Sequence, residues 1–302
     1  MSDFKPKGHI AMIASNSLWG LMSPVAKVTM AAGTITPLLM TDFRIIGAAI
    51  LFWITSLFTR HEHVPPRDLL RLAFAATLGI LLNQGSFIFG VGMTSPGEAS
   101  IITTTMPVWV MILAALFLKE PITTRKTAGI IVGAAGALIL IINSNNTAMS
   151  GDKPLIGDIL VLTAQLCYAL YLTLFKNFIA RYSLVTLMKW MFTFAAVMLL
   201  PLSIPTIAAT SWSQLTAAQW LGAGYVVAGG TYVAYICVMI GQKNLRPTIV
   251  GMYNYVQPII ATCVGIYLGL DRFTPLKMLA VLLIFSGVFL VTTSRARARA
   301  GV

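Results

Sequence analysis

Ten stretches of mostly apolar residues follow one another along the chain, near 8–32, 35–58, 68–93, 96–118, 124–143, 155–179, 183–204, 217–241, 247–270 and 274–293. Each has about the 20 residues that an α-helix needs to cross the hydrocarbon core of a bilayer. The polar breaks are short, the longest being TRHEHVPPRD (59–68) and NSNNTAMSGDK (143–153). None is long enough for a separate soluble domain. The pattern predicts an all-α integral membrane protein with ten transmembrane helices.

Composition agrees with the pattern. Hydrophobic residues make up 57% of the 302 and charged ones 10%, with mean hydropathy +0.84; a soluble domain carries roughly 25% charged residues. The net charge of +12 raises the question of a nucleic-acid partner. Its distribution answers it. Lys5, Lys7, Arg60, Arg67, Arg71, Lys119, Arg125, Lys126, Lys176, Arg181, Lys243, Arg246, Arg295, Arg297 and Arg299 fall in one set of connecting segments, and only Lys153, Arg272 and Lys277 in the alternate set. By the positive-inside rule the first set is cytoplasmic, so both termini are expected there, facing anionic headgroups and not nucleic acid. Cys167, Cys237 and Cys263 lie inside apolar runs, without disulfide or metal-ligand spacing. The first apolar run is longer than a signal peptide's and lacks a small-residue cleavage site, so a retained helix is expected.

The sequence resembles itself. Shifted by 151, SPGEASIITTTMPVWVMILAALFLKEPITTRKTAG (95–129) aligns without gaps to RPTIVGMYNYVQPIIATCVGIYLGLDRFTPLKMLA (246–280), pairing Pro96 with Pro247, Pro107 with Pro258, Glu120 with Asp271 and Lys126 with Lys277. Shifted by 149, residues 8–27 align with 157–176, pairing Asn16 with Gln165, Trp19 with Tyr168 and Lys27 with Lys176. Each half (1–146 and 147–302) then holds five helices. An odd number sends the second half in from the opposite face. Two inverted-topology repeats in one transmembrane domain are therefore expected, with a substrate site near the midplane between them.

Trp19-Gly20 followed by Lys27, then FRIIGAAILF (43–52) with Arg44, then LKEPITTRKTAGIIVGAAGALIL (118–140), resembles the EamA-type transporters of the drug/metabolite transporter superfamily. LGLDRFTPLKMLAVLLIFSGVFLV (268–291) repeats the last motif more loosely, with Asp271 in place of Glu120. The resemblance covers essentially the whole chain. It implies ten helices with cytoplasmic ends, a central cavity, and alternating access for small metabolites, often outward. It does not choose a cargo.

Candidate lining residues follow from the helices themselves. Pro107 and Pro258 each remove an amide donor and free a carbonyl four residues earlier, at Thr103 and Asn254. Polar residues crowd the same turns, among them Thr103, Thr104, Tyr253, Asn254 and Gln257. Interrupted segments in matching positions of two halves point to a transporter's site. On the first helix Asn16, Trp19, Ser23 and Lys27 share one face by their three- and four-residue spacing, as do Gln165, Tyr168 and Lys176 on its counterpart. Asn83, Gln84, Tyr232 and Tyr235 complete the polar and aromatic candidates. Each alone is as well explained as contact between helices; together they favour a cavity.

Lys27, Asp42, Arg44 and Glu98 are the charges in or near the external half. Isolated charges in a membrane need partners, and a Lys27–Asp42 pair that gates the cavity or binds a charged substrate group is the expectation. His61, Glu62 and His63 read as a solvated loop, so no metal is expected, and no cofactor signature is present. GIIVG (129–133) has the spacing of a close helix contact, within a monomer or between two copies.

No nucleophile–base pair or nucleotide loop is present. The sequence therefore reads as a secondary transporter of the bacterial cytoplasmic membrane, exporting amino acids or related amphipathic metabolites or drugs. Its partners are the lipid bilayer and a small-molecule substrate. Proton coupling through Asp42 or Glu98 is left open, as are a facilitator or importer and, in another class, a non-transporting scaffold or sensor.

Overall fold

The computed structural model describes residues 5–31, 33–94, 99, 102–142, 153–267 and 274–294. Glu98, Asp271 and the Arg-rich tail lie outside these, as does the side chain of Ser23. Among the described residues every regular element is helical. In order they are α1 (Pro6–Ala31), α2 (Pro37–Leu57), α3 (Pro66–Met93), α4 (Met106–Leu118), α5 (Thr124–Ile142), α6 (Pro154–Leu174), α7 (Leu184–Ala209) and α8 (Ala217–Asn244). α9 consists of Pro247–Met252 and Val256–Tyr267 joined by a single 3₁₀ turn, Tyr253–Tyr255, and α10 is Pro275–Thr292. α2, α3, α7 and α8 in full, and Leu155–Leu174 of α6, are long and apolar enough to cross a membrane. Many large apolar side chains on outer faces are exposed, Leu57, Leu202, Leu221 and Phe289 among them. In water such a surface is a liability; in lipid it is solvated.

The breaks in the apolar pattern are also the helix boundaries. Pro37, Pro66 and Pro247 each occupy the first turn of a helix, where a missing N–H costs nothing. Thr36 caps α2 by accepting from Leu39 N, Ser183 caps α7 by accepting from Thr186 N, and Thr216 with Gln219 forms a capping box on α8. α4 ends where Lys119 adopts the left-handed conformation at φ 53°.

Packing pairs the two halves. α1 lies against α8 and α6 against α3; α2 lies against α7, α5 against α10, and α4 against the first part of α9. Exchanging α1–α5 for α6–α10 turns each of these pairs into itself or another of them. Details follow the same rule. Both α3 and α8 contain a six-residue π-helical turn, Thr77–Leu82 and Ala228–Val233, 151 positions apart. Within them a Cβ on Gly79 would meet the Tyr171 ring, and one on Gly230 would meet Met22, its counterpart at a shift of 149. A Cβ on Gly129 or Gly287 would lie under 3 Å from the backbone of the facing helix, so α5 and α10 touch main chain to main chain. Where lipid removes the hydrophobic drive between helices, small residues that permit such approach supply the packing. The GIIVG spacing is used here within one chain.

Candidate functional site

Between the halves, at the level of the two π turns, lies a cavity of about 480 Å³ with its open mouth included. From α1 it takes Trp19 and Met22, from α2 Arg44, and from α3 Asn83, Gln84 and Phe87. Thr103, just before α4, adds to this half. The second half contributes Gln165 and Tyr168 from α6, Tyr235 from α8, and Asn254 and Gln257 from α9.

The π turns organise this wall. A π turn spaces the amide ladder one residue further apart, and its carbonyls accept side-chain donors instead. Gly79 O accepts from the Tyr235 hydroxyl at 3.3 Å, and Gly230 O accepts from Trp19 Nε1 at 3.0 Å. Each π turn thus holds an aromatic of the opposite half. Trp19 also meets Tyr168 and Tyr235 edge-on, with centroids 6.0 and 5.9 Å apart. The amides are held as tightly. Gln84 Nε2 donates to Tyr235 Oη at 2.9 Å, Asn83 Nδ2 to Ala164 O at 3.0 Å, and Gln257 Nε2 to Asn16 Oδ1 at 2.9 Å.

Nine of the sixteen candidates for the cavity form its wall. Asn16 stands one shell behind, orienting Gln257. Thr104 is buried but off the wall. Pro107 and Pro258 are not mid-helix kinks: Pro107 sits in the first turn of α4, and Pro258 just after the 3₁₀ turn of α9. The interruption lies immediately before them, at Thr104–Thr105 and Tyr253–Tyr255, and it is Thr103 and Asn254 that reach the cavity. Tyr232 faces away, hydrogen-bonded to the Thr55 hydroxyl and packed on Phe52 with centroids 4.7 Å apart. Met22 and Phe87 are wall residues that polarity alone misses, although each lies three positions after one that was found.

The charges sort differently from expectation. Lys27 does not reach for Asp42. Its ammonium donates to the carbonyls of Val91, Gly92 and Thr94 at 2.9, 3.2 and 3.2 Å, at the C-terminal end of α3. Lys176 does the same at the end of α8, donating to the carbonyls of Gln242 and Leu245, each 151 positions after Val91 and Thr94. Four orphan carbonyls and the negative end of the helix dipole explain both cations. Asp42 is 2% exposed and pairs with no cation among the described residues; Ser203 of α7 stands alongside. Arg44, expected at a gate, belongs to the cavity wall, with Nε donating to Thr231 Oγ1 at 3.2 Å.

The profile of the EamA-like transporter family matches residues 6–142 and again 155–293. The "Uncharacterized inner membrane transporter YedA" of Escherichia coli (strain K12) is 29% identical over 94% of this chain and 90% of its own. The "Uncharacterized transporter YoaV" of Bacillus subtilis (strain 168) is 24% identical over 96% and 98%. A solved chain described only as "Crystal structure of protein" shares the fold, with TM-score 0.77 at 16% identity over 95% of this chain and 97% of that one. The chain is a multi-pass membrane protein and belongs to the EamA-like transporter family.

Proposed function

We propose that the protein is a secondary transporter that exports a small metabolite across the bacterial cytoplasmic membrane by alternating access. Halves 1–146 and 147–302 act as inverted five-helix repeats, giving ten spans with both termini cytoplasmic. One observation carries the reading: both halves contribute counterpart positions to one cavity at the level where their helices are interrupted. That is where secondary transporters of repeat architecture bind cargo. The two separate matches to the family profile support the division into halves. The cavity's mixed wall of amides and aromatic rings suits small amphipathic cargo.

The described wall includes no carboxylate, which favours a facilitator over a proton antiporter whose coupling group touches cargo. The carboxylates that could couple a proton are the buried Asp42, off the cavity wall, and Glu98. Flux of labelled amino acids and organic acids into and out of proteoliposomes, with and without a pH gradient, tests the proposal. Saturable flux supports transport, and its loss in Asp42→Asn under a gradient alone identifies Asp42 as the coupling group. Intact protein that moves no candidate metabolite in either direction leaves the scaffold or sensor reading in its place.

A further inference from the structure

Several polar groups of the cavity wall are committed to protein partners, and the buried ones that are not are informative. Asn83, Gln257 and Trp19 spend donors on protein acceptors. Two buried atoms of wall residues have no hydrogen-bond partner among the described residues: Nη1 of Arg44, a donor, and Oε1 of Gln84, an acceptor. Their side chains are fixed rather than adaptable. The Tyr235 hydroxyl donates to Gly79 O, so it can only accept from the nitrogen of Gln84, and Oε1 is left over. The Thr231 hydroxyl donates to Val226 O at 2.8 Å and therefore accepts from Arg44 Nε, anchoring one edge of the guanidinium. Arg44 is the one charged residue of the described wall, and no ion pair involving it occurs among the described residues. A buried cation with an unmet donor, held by a second residue, is expensive unless something arrives to meet it.

We infer that Arg44 and Gln84 are a recognition pair for a small organic carboxylate: the guanidinium takes the carboxylate and Gln84 Oε1 accepts from a donor beside it, while Trp19, Tyr168 and Phe87 cover the apolar body. This rests on the transport reading for its biological purpose and deepens it by naming the cargo class. The guanidinium fork matches a carboxylate's two oxygens, which a lysine at the same place would not. The aromatic faces by themselves would attract a cation. Beside the buried guanidinium of Arg44, charge repulsion opposes that attraction and turns preference toward anions and zwitterions.

Three probes sharing a phenyl ring separate the alternatives: 3-phenylpropionate, L-phenylalanine and phenethylamine, titrated into the purified full-length protein with Trp fluorescence and thermal shift as readouts. The two carboxylates should bind at least about tenfold tighter than the amine, and Arg44→Gln should weaken them by about tenfold or more. Gln84→Leu should weaken L-phenylalanine, which carries a donor beside its carboxylate, more than 3-phenylpropionate. Should Arg44→Gln not fold, Arg44→Lys keeps the charge without the fork and should still lose several-fold in carboxylate affinity. Phenethylamine binding as tightly as the carboxylates, carboxylate binding indifferent to Arg44, or no binding of any probe overturns the inference. Flux in proteoliposomes keeps the two readings apart. Transport without carboxylate preference sinks the recognition pair and spares the transporter, whereas Arg44-dependent binding without flux does the reverse.

Discussion

Gly79 and Gly230 lie 151 positions apart, each in a π turn, each pressed by a counterpart side chain, and each offering its carbonyl to an aromatic of the other half. Gln84 and Tyr235 also lie 151 positions apart, yet one is an amide and the other a phenol, and they hydrogen-bond to each other. Trp19 and Tyr168, at a shift of 149, and Thr103 and Asn254, at a shift of 151, are likewise counterparts of different chemistry on the wall. Where residues set the approach of helices, the halves keep the same chemistry. Where they face the cavity, they differ, and Arg44 makes the cavity electrically one-sided. Helix packing that repeats between the halves is combined with a cavity wall that does not.

The strongest attempt to break this comparison is at the α5–α10 contact. Gly287→Leu drives a side chain into the backbone of Gly129 and Gly133, and should cost about 3 kcal/mol or prevent accumulation of folded protein. Gly85→Ala and Gly224→Ala, which meet open space, should stay within about 1 kcal/mol of the parent in thermal unfolding. Next come the helix-end cations. Lys27→Met and Lys176→Met each strip an ammonium from a helix terminus and should each lower stability by about 1.5 kcal/mol. Equal losses sharpen the picture of a shared scaffold, and a loss in only one variant damages it. Within the cavity, a double-mutant cycle of Gln84→Leu and Tyr235→Phe should return a coupling of about 1 kcal/mol, because the two residues form one bond across the halves.

The smallest effect belongs to Glu62. Burial pushes its carboxyl up, but hydrogen bonds from Ser183 and Thr186 and the charge of Lys243 outweigh it, leaving the group below its ordinary 4.5. A depressed carboxylate contributes stability above its unfolded value and loses it as pH falls through the folded one. Glu62→Gln should therefore cost under about 0.5 kcal/mol at neutral pH for this largely solvated group, with no difference once the pH is well below 4. Parallel melting curves at the two pH values check the sign.

Much of this architecture was readable in advance because lipid leaves a helix few choices. Apolar runs ended where Pro37, Pro66, Pro247 or a capping Thr or Ser appeared, and the structure begins its helices there. Polar wall residues were readable for the same reason, since amides and phenols inside apolar runs must face protein or water. Contacts between helices were not. Nothing in the spacing of Lys27 says that the end of α3 lies within its reach, so the nearest opposite charge in sequence, Asp42, was the natural but mistaken partner. Tyr232 and Tyr235 are three apart and look equivalent, yet the first turns to Thr55 and only the second to the cavity. The π turns were invisible, because an extra residue in a turn is stabilised by what packs against it and not by its own composition.

That extra residue changes the phase of everything after it. An α-helix advances about 100° per residue, so one added position rotates the remainder of α3 or α8 by that angle relative to what precedes it. Asn83, Gln84 and Phe87 follow the turn in α3, and Tyr235 follows the turn in α8. Deleting one residue from either turn would leave a regular helix of nearly the same length with its wall residues facing elsewhere. Each turn therefore behaves as a detent that sets the angular register of the cavity wall, independently of the apolar seam that keeps the helix in place.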